Sequence, residues 1–224
     1  MVKSTAVQIL HVDQEIVVVN KPAGLPVLPD GWQQDSTYLV SLLEAEYGRI
    51  WIVHRLDKVT SGVLVAARTA EAHRSLSIQF EQHKAQKVYH AIASGVPEWD
   101  ERTAGQSLRS NVGHRHRTIV DARRGKPSRT VFRVLERLRD HTLVEARPLT
   151  GRTHQVRVHA AAVHCPLLGD SLYGAPPTGV IERPALHALS LSFTHPRIGQ
   201  PVTYTAPYPE DFARALETLR VVTR

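Results

Sequence analysis

A chain of 224 residues, 42% hydrophobic and 22% charged, can bury a core of its own and is neither a disordered segment nor a coiled coil. Lys and Arg outnumber Asp and Glu by 28 to 21, and the net charge of +7 points to an anionic partner. The single cysteine, Cys165, excludes an internal disulfide, and there is neither a signal-like apolar core nor a membrane-length run, so a cytoplasmic protein is expected.

In chain order, "EIVVVN" predicts a strand ending at Asn20, and Pro22 and Gly24 set a turn after it. "STYLVSLLEAEYG" predicts a helix with Ser36 as its cap and Gly48 as its stop. The apolar run "GVLVAA" reads as a buried strand. Ala72, Leu76 and Phe80 recur at four-residue spacing after Thr69, which marks a capped amphipathic helix. "VYHAIASG", "RTVFRVLERL" and "TLVEARPL" read as strands and "HQVRVHAAAVH" as a helix. "LHALSLSFTHP" and "PVTYTAP" suit paired strands, and "PEDFARALETLR" a closing helix. Between Pro97 and Ser128 the chain is poor in apolar residues, as exposed hairpins or a mobile insertion would be. Hairpins mixed with a few helices, without regular alternation, predict an α+β fold on a mixed, mostly antiparallel sheet, in one domain over residues 1–224 with room for two lobes.

The charge is concentrated. From Arg109 to Arg157 there are thirteen Lys and Arg against four acids, a difference of +9. A phosphate-tracking surface would look like this, and so would a solvated face of long side chains. Several chemistries are excluded. "RRGKPS" lacks the hydroxyl residue and the upstream glycine of a phosphate loop, there is no G-x-G-x-x-G, and one cysteine cannot serve a zinc deaminase. His154, His159 and His164 are five apart, which turns successive imidazoles away from one another on a helix, so no metal centre is expected. Cys165 reads as a small buried residue. What remains is chemistry without metal or cofactor, performed by ordinary side chains. Its most prominent carrier is "VHRLDKVTSG", which holds Asp57 in a polar turn between His54, Arg55 and Lys58. A surface loop and a nucleophile presented to nucleic acid both fit that pattern.

Six segments together resemble the RluA-type pseudouridine synthases. "HRLDKVTSG" (54–62) is similar to the catalytic-aspartate motif of that family, "QKVYHA" (86–91) to its lysine-x-tyrosine segment and "LTGRTHQVRVH" (149–159) to its arginine-bearing segment. "VVNKPAGLPV", "PLLGDSLYG" and "LHALSLSFTHP" follow the family in the right order, and the resemblance runs from Gln8 to Pro207. Two positions depart from it: Cys165 stands where relatives commonly carry His, and no His follows the Gly24 turn. The catalytic region begins almost at once, so no separate S4-type RNA-binding domain is expected, and RNA selection falls to the catalytic domain and its basic segment.

The resemblance implies an enzyme that isomerises uridine in structured ribosomal or transfer RNA, with an RNA cleft across the sheet; a monomer is expected, no second interface being evident in the sequence. Asp57 would be the nucleophile, attacking C1′ or C6 or opening a glycal route. Burial disfavours an ionised carboxylate and a nearby guanidinium favours it; Arg157, with Arg152 as the alternative, is assigned that part. Tyr89 would stack on the flipped uracil, and Arg55 would fill the gap the base leaves. His54, Lys21, Lys87, Arg152 and His154 are assigned to RNA contacts, a solvated turn lysine being the alternative for Lys21. Thr60 and Ser61 would tie the Asp57 turn through side-chain bonds, and Gly62 would relieve crowding behind it. Two other readings compete. One is an RNA-binding protein without catalysis. The other is an N-glycoside hydrolase, which would call for a second, water-positioning carboxylate; no acid in the matched motifs is assigned that role.

Overall fold

Ile16–Val19 and Val63–Ala67 are buried residue after residue, on both faces of their strands, which requires paired neighbours and cover above and below. The computed structural model describes residues 7–29, 37–113 and 117–223. In chain order it contains β1 (Gln8–Val12), β2 (Ile16–Lys21), α1 (Leu39–Tyr47), β3 (Trp51–Ile52), β4 (Ser61–Ala67), α2 (Ala70–Glu81), β5 (Gln86–Ser94), β6 (Glu101–Ala104), β7 (Leu108–Val112) and β8 (Arg117–Val120). There follow β9 (Thr130–Arg137), β10 (His141–Pro148), α3 (Gln155–Ala162), a 3₁₀ turn (Ser171–Tyr173), β11 (Leu186–Thr194), β12 (Pro201–Thr205) and α4 (Glu210–Thr223). The fold is α+β, as expected, and no described helix is long and apolar enough to cross a membrane. The chain forms two compact units, residues 1–87 with 188–207 and residues 88–187 with 208–224.

In the first unit β2 pairs antiparallel with β1 and β4, β3 pairs with β4, and β11 pairs with β12. Helix α2 begins where Thr69 Oγ1 accepts the Ala72 amide at 3.1 Å, the cap its sequence predicts. Its buried Ala72 and Leu76 pack on Ile16, Val18, Val63 and Val65. Helix α1 starts at Leu39 behind Tyr38, whose carbonyl accepts the Ser41 hydroxyl at 2.7 Å; the Ser36 cap lies outside the described residues. Gly48 ends the helix with φ 74°.

Gly62 opens β4 at φ 119°, and a Cβ there would lie 2.1 Å from the Ala188 carbonyl oxygen, a backbone atom with nowhere to move. The glycine is thus required by the close approach of β11. Gly62→Ala is expected to cost about 2–3 kcal/mol, read as a lower denaturant midpoint.

In the second unit β5, β10, β9 and β6 form consecutive antiparallel pairs. Alternation along β5 sends Ala91 and Ala93 to one face, against Val156 and Ala160 of α3. Ile92 points to the other face, against Phe212, Ala215 and Leu216 of α4. Within the Pro97–Ser128 segment the described residues are ordered as hairpins: β6 extends the sheet edge, and β7 pairs with β8. "RRGKPS" is part of a turn in which the Asp121 carboxylate accepts the Arg123 and Arg124 amides at 3.0 and 2.9 Å.

Candidate active site

The Asp57 loop in the first unit connects β3 to β4, and the segments around it brace it at several points. The Asp57 carbonyl accepts the Thr60 amide at 3.0 Å, and the Lys58 carbonyl accepts the Gly24 amide at 2.8 Å. Lys21 is fully buried, with Nζ donating to the carbonyls of Pro22 and Leu25 at 2.8 Å and of Lys58 at 3.3 Å. This corrects both expectations for Lys21. It is neither a phosphate contact nor a solvated turn lysine, because its ammonium is consumed in joining the "NKPAGLP" turn to the aspartate loop. That bracing gives the opening motif its physical purpose. Asp57 itself is half-buried.

His54 is also a brace. Its Nε2 accepts the Val65 amide at 3.2 Å, which leaves the ring proton on Nδ1. The ring stacks on Phe80 with centroids 4.4 Å apart. Burial, reinforced by the charge of Lys87, pushes its pKa down to about 3, so at neutral pH it offers no positive charge to a phosphate. The expected RNA contact at His54 is therefore replaced by a loop anchor. Burial likewise pushes the Lys87 ammonium down to about 8.

The folded pKa of His54 lies below its ordinary 6.5, so the unfolded chain takes up the proton first as the pH falls. The stability that neutral His54 contributes is whole above about pH 6.5 and is lost progressively toward about pH 3. In His54→Gln, whose amide oxygen can still accept the Val65 amide, stability measured by denaturant is expected to fall less steeply across this acid range than in the wild type.

Arg55 is exposed and forms no ion pair or hydrogen bond among the described residues, so the alternative of a salt bridge within its own loop is not realised. Thr60 differs from its expected role. Its amide closes the turn, but its buried Oγ1 has no hydrogen-bond partner among the described residues.

The "LTGRTHQVRVH" segment lies in the second unit. Buried Gln155 organises it: Oε1 accepts the Thr150 hydroxyl at 2.6 Å and the Arg152 amide at 3.0 Å, while Nε2 donates to the Arg129 carbonyl and Thr130 Oγ1, both at 3.0 Å. Arg157 sits inside α3, its side chain 6% exposed, and forms a bidentate pair with Asp170 (Nε to Oδ2 2.7 Å, Nη2 to Oδ1 2.8 Å). Tyr173 lies under the guanidinium, 5.0 Å from Cζ to ring centroid. The sequence offered Arg157 either Asp57 or an RNA phosphate; within the second unit it pairs with Asp170, from "PLLGDSLYG". Arg152 is half-buried and donates through Nε to the Pro127 carbonyl at 3.4 Å. Tyr89 is half-buried on β5, opposite Ala146 of β10, on the sheet face that α3 covers. Two residues that organise the site, Gln155 and Asp170, were missed by sequence reasoning. The only available signal was that each is a polar residue inside a matched motif.

The histidines of α3 serve the structure. Fully buried His159 bonds through Nδ1 with Thr130 Oγ1 at 2.9 Å and through Nε2 with the Gln106 carbonyl at 3.0 Å. His154 caps the helix in a left-handed conformation, φ 54°, with Nδ1 2.8 Å from the Tyr173 hydroxyl. Burial raises the pKa of Cys165, as its expected place in the core requires.

One cluster among the described residues has the composition of a metal site: His11, Asp13 and His195 in the first unit, their ligand atoms within 4.8 Å of one another. Its protons argue otherwise. His195 Nδ1 accepts the amides of Arg197 and Ile198 at 3.2 and 3.4 Å, so Nε2 carries the hydrogen and donates it to Asp13 Oδ2 at 2.8 Å. A ligating imidazole has the reverse polarity, donating from its far nitrogen. Burial opposes the negative charge on Asp13, but bonds from His11, from the Ile16 and Glu15 amides and from His195 outweigh it and hold its pKa well below the usual carboxylate range. The trio is a clasp between the β1–β2 turn and the end of β11.

Comparisons with known proteins agree with the motif pattern. A family profile described as RNA pseudouridylate synthase matches residues 15–162, which include Asp57, Tyr89 and Arg157. "Ribosomal large subunit pseudouridine synthase D" of Neisseria meningitidis serogroup A is 40% identical over 96% of this chain, and the match spans 62% of that relative's length. The like-named proteins of Pseudomonas aeruginosa and Zymomonas mobilis are 39% and 37% identical, with 72% and 74% of their lengths matched. Among solved structures, "Human RNA Pseudouridylate Synthase Domain Containing 4" superposes with a TM-score of 0.78 at 28% identity, covering 95% of this chain and 93% of that one. "Human RNA Pseudouridylate Synthase Domain Containing 1" does so at 0.75 and 29%, covering 91% and 84%. Profile, curated relatives and fold coincide: the chain belongs to the RluA-type RNA pseudouridylate synthase family.

Proposed function

We propose that this protein isomerises uridine to pseudouridine in ribosomal RNA of the large subunit, with Asp57 as nucleophile. The observation that carries this reading is the Asp57 loop: it lies within the family match, is braced by Lys21, Gly24 and His54, and carries an exposed, unpaired Arg55 two residues before the carboxylate. In the reaction the N1–C1′ bond breaks, the uracil turns, and a C5–C1′ bond forms; the C5 proton leaves and N1 ends protonated. A fixed carboxylate serves attack at C1′, addition at C6 or removal of the 2′ proton, and the chemistry calls for no redox partner. Tyr89 and Arg157 are proposed to stack on the flipped base and to offset the aspartate's charge. Arg55 is proposed to take the place of the extruded base, and Arg152, with Lys87, to meet the RNA backbone. The names of the relatives favour ribosomal over transfer RNA as substrate, and no second copy of the chain is invoked.

The hydrolase reading calls for a water-positioning acid. The second carboxylate of the matched motifs, Asp170, is 1% exposed and committed to Arg157. The test is release of tritium from uridine C5 in an unmodified large-subunit ribosomal RNA transcript. Release without free uracil supports the isomerase, free uracil supports the hydrolase, and RNA binding without either supports the non-catalytic reading.

A further inference from the structure

The second unit contains a tyrosine whose bonds exceed what packing alone requires. Tyr173 ends the 3₁₀ turn that begins after Asp170, and its amide donates to the Asp170 carbonyl at 3.1 Å. Its hydroxyl accepts the Thr118 amide of β8 at 3.0 Å. The same hydroxyl lies 2.8 Å from His154 Nδ1 at the start of α3. The ring face supports the Arg157 guanidinium, with Cζ 5.0 Å above its centroid. One side chain therefore touches the hairpin, the helix cap and the arginine. The hairpin it holds is basic: Arg117, Arg123 and Arg124 are exposed on β8 and the turn that follows. Thr118 is fully buried, with Oγ1 donating to Ser110 Oγ of β7 at 3.2 Å, so displacement of its amide moves both strands.

We propose that Tyr173 is a positioning residue that ties the basic β7–β8 hairpin to the Arg157 guanidinium, so that RNA gripped by the hairpin holds the arginine in its working orientation. This rests on the synthase reading above. The hydroxyl and the ring have separable tasks: the hydroxyl docks the hairpin and sets affinity for RNA, and the ring supports the guanidinium and sets turnover.

The experiment compares wild type, Tyr173→Phe and Tyr173→Leu in steady-state tritium release from the large-subunit ribosomal RNA transcript, together with amide hydrogen exchange at Thr118 and thermal unfolding of each chain. Tyr173→Phe loses two hydrogen bonds but keeps the ring. It is expected to raise KM about five- to tenfold with kcat within about twofold of wild type, and to speed exchange at Thr118. Tyr173→Leu is expected to lower kcat about tenfold in addition. If Tyr173→Phe matches wild type in KM and in Thr118 exchange, the coupling is overturned. It is equally overturned if both variants lose rate only in proportion to their folded fraction. A wild-type chain that releases no tritium overturns the synthase reading and this proposal with it; an active wild type with unmoved variants overturns the proposal alone.

Discussion

Asp57→Asn is expected to reduce tritium release by about 10³-fold or more, since an amide can neither form the bond nor take the proton proposed for the carboxylate. The loop is expected to survive the change. Its braces run from the Thr60 amide to the Asp57 carbonyl, from Gly24 and Lys21 to the Lys58 carbonyl and from the Val65 amide to His54, and each of these bonds persists when the carboxylate becomes an amide. The variant should therefore unfold near the wild-type midpoint and retain affinity for RNA. That combination separates a catalytic carboxylate from a turn residue. Release persisting within tenfold of wild type would remove Asp57 from the chemistry, whereas loss of rate together with loss of folding would show the substitution to be structural.

The second large effect is expected at Asp170. Its carboxylate and the Arg157 guanidinium, 1% and 6% exposed, have given up water and compensate by two short, parallel hydrogen bonds. Asp170→Asn keeps the shape but removes the charge and turns an amide N–H₂ toward guanidinium N–H groups, depriving the buried Arg157 of its bidentate carboxylate. Removing one partner of such a pair costs about 3–5 kcal/mol, seen as a lower denaturant midpoint with little change in slope. The double variant Arg157→Met, Asp170→Leu discriminates further. Replacing both charges by apolar groups of similar size is often neutral for stability, so the double variant should recover much of what Asp170→Asn loses. It should remain inactive, because the guanidinium is gone. A double variant that regains activity as well would show that the pair serves only the fold.

The same pair explains why part of the site was illegible beforehand. Features written within a few residues of one another could be read from the sequence. These include the Thr69 cap over Ala72, the Gly48 stop and the alternation that puts Ala91 and Ile92 on opposite faces. The polar turn around Asp57 belongs with them, and so do the six ordered motifs, because local propensity and spacing suffice to define each. Asp170 carried no such signal, since an acid beside a glycine reads equally as a turn residue until its partner, thirteen positions back, is known.

Lys21 shows the same limit from the other side. By composition a lysine before Pro and Gly belongs at a solvated turn, yet three carbonyls from two separate segments converge on its ammonium and make burial affordable. The His11–Asp13–His195 clasp joins residues 182 positions apart, and its character as a clasp depends on which nitrogen each ring uses. By itself the sequence determined the family, the nucleophile candidate and nearly every long element, all of which follow from short-range pattern. Only the tertiary structure decided which charges are sealed, which are paired and which tautomer each histidine holds, because those depend on the loss of water and on partners that chain separation conceals.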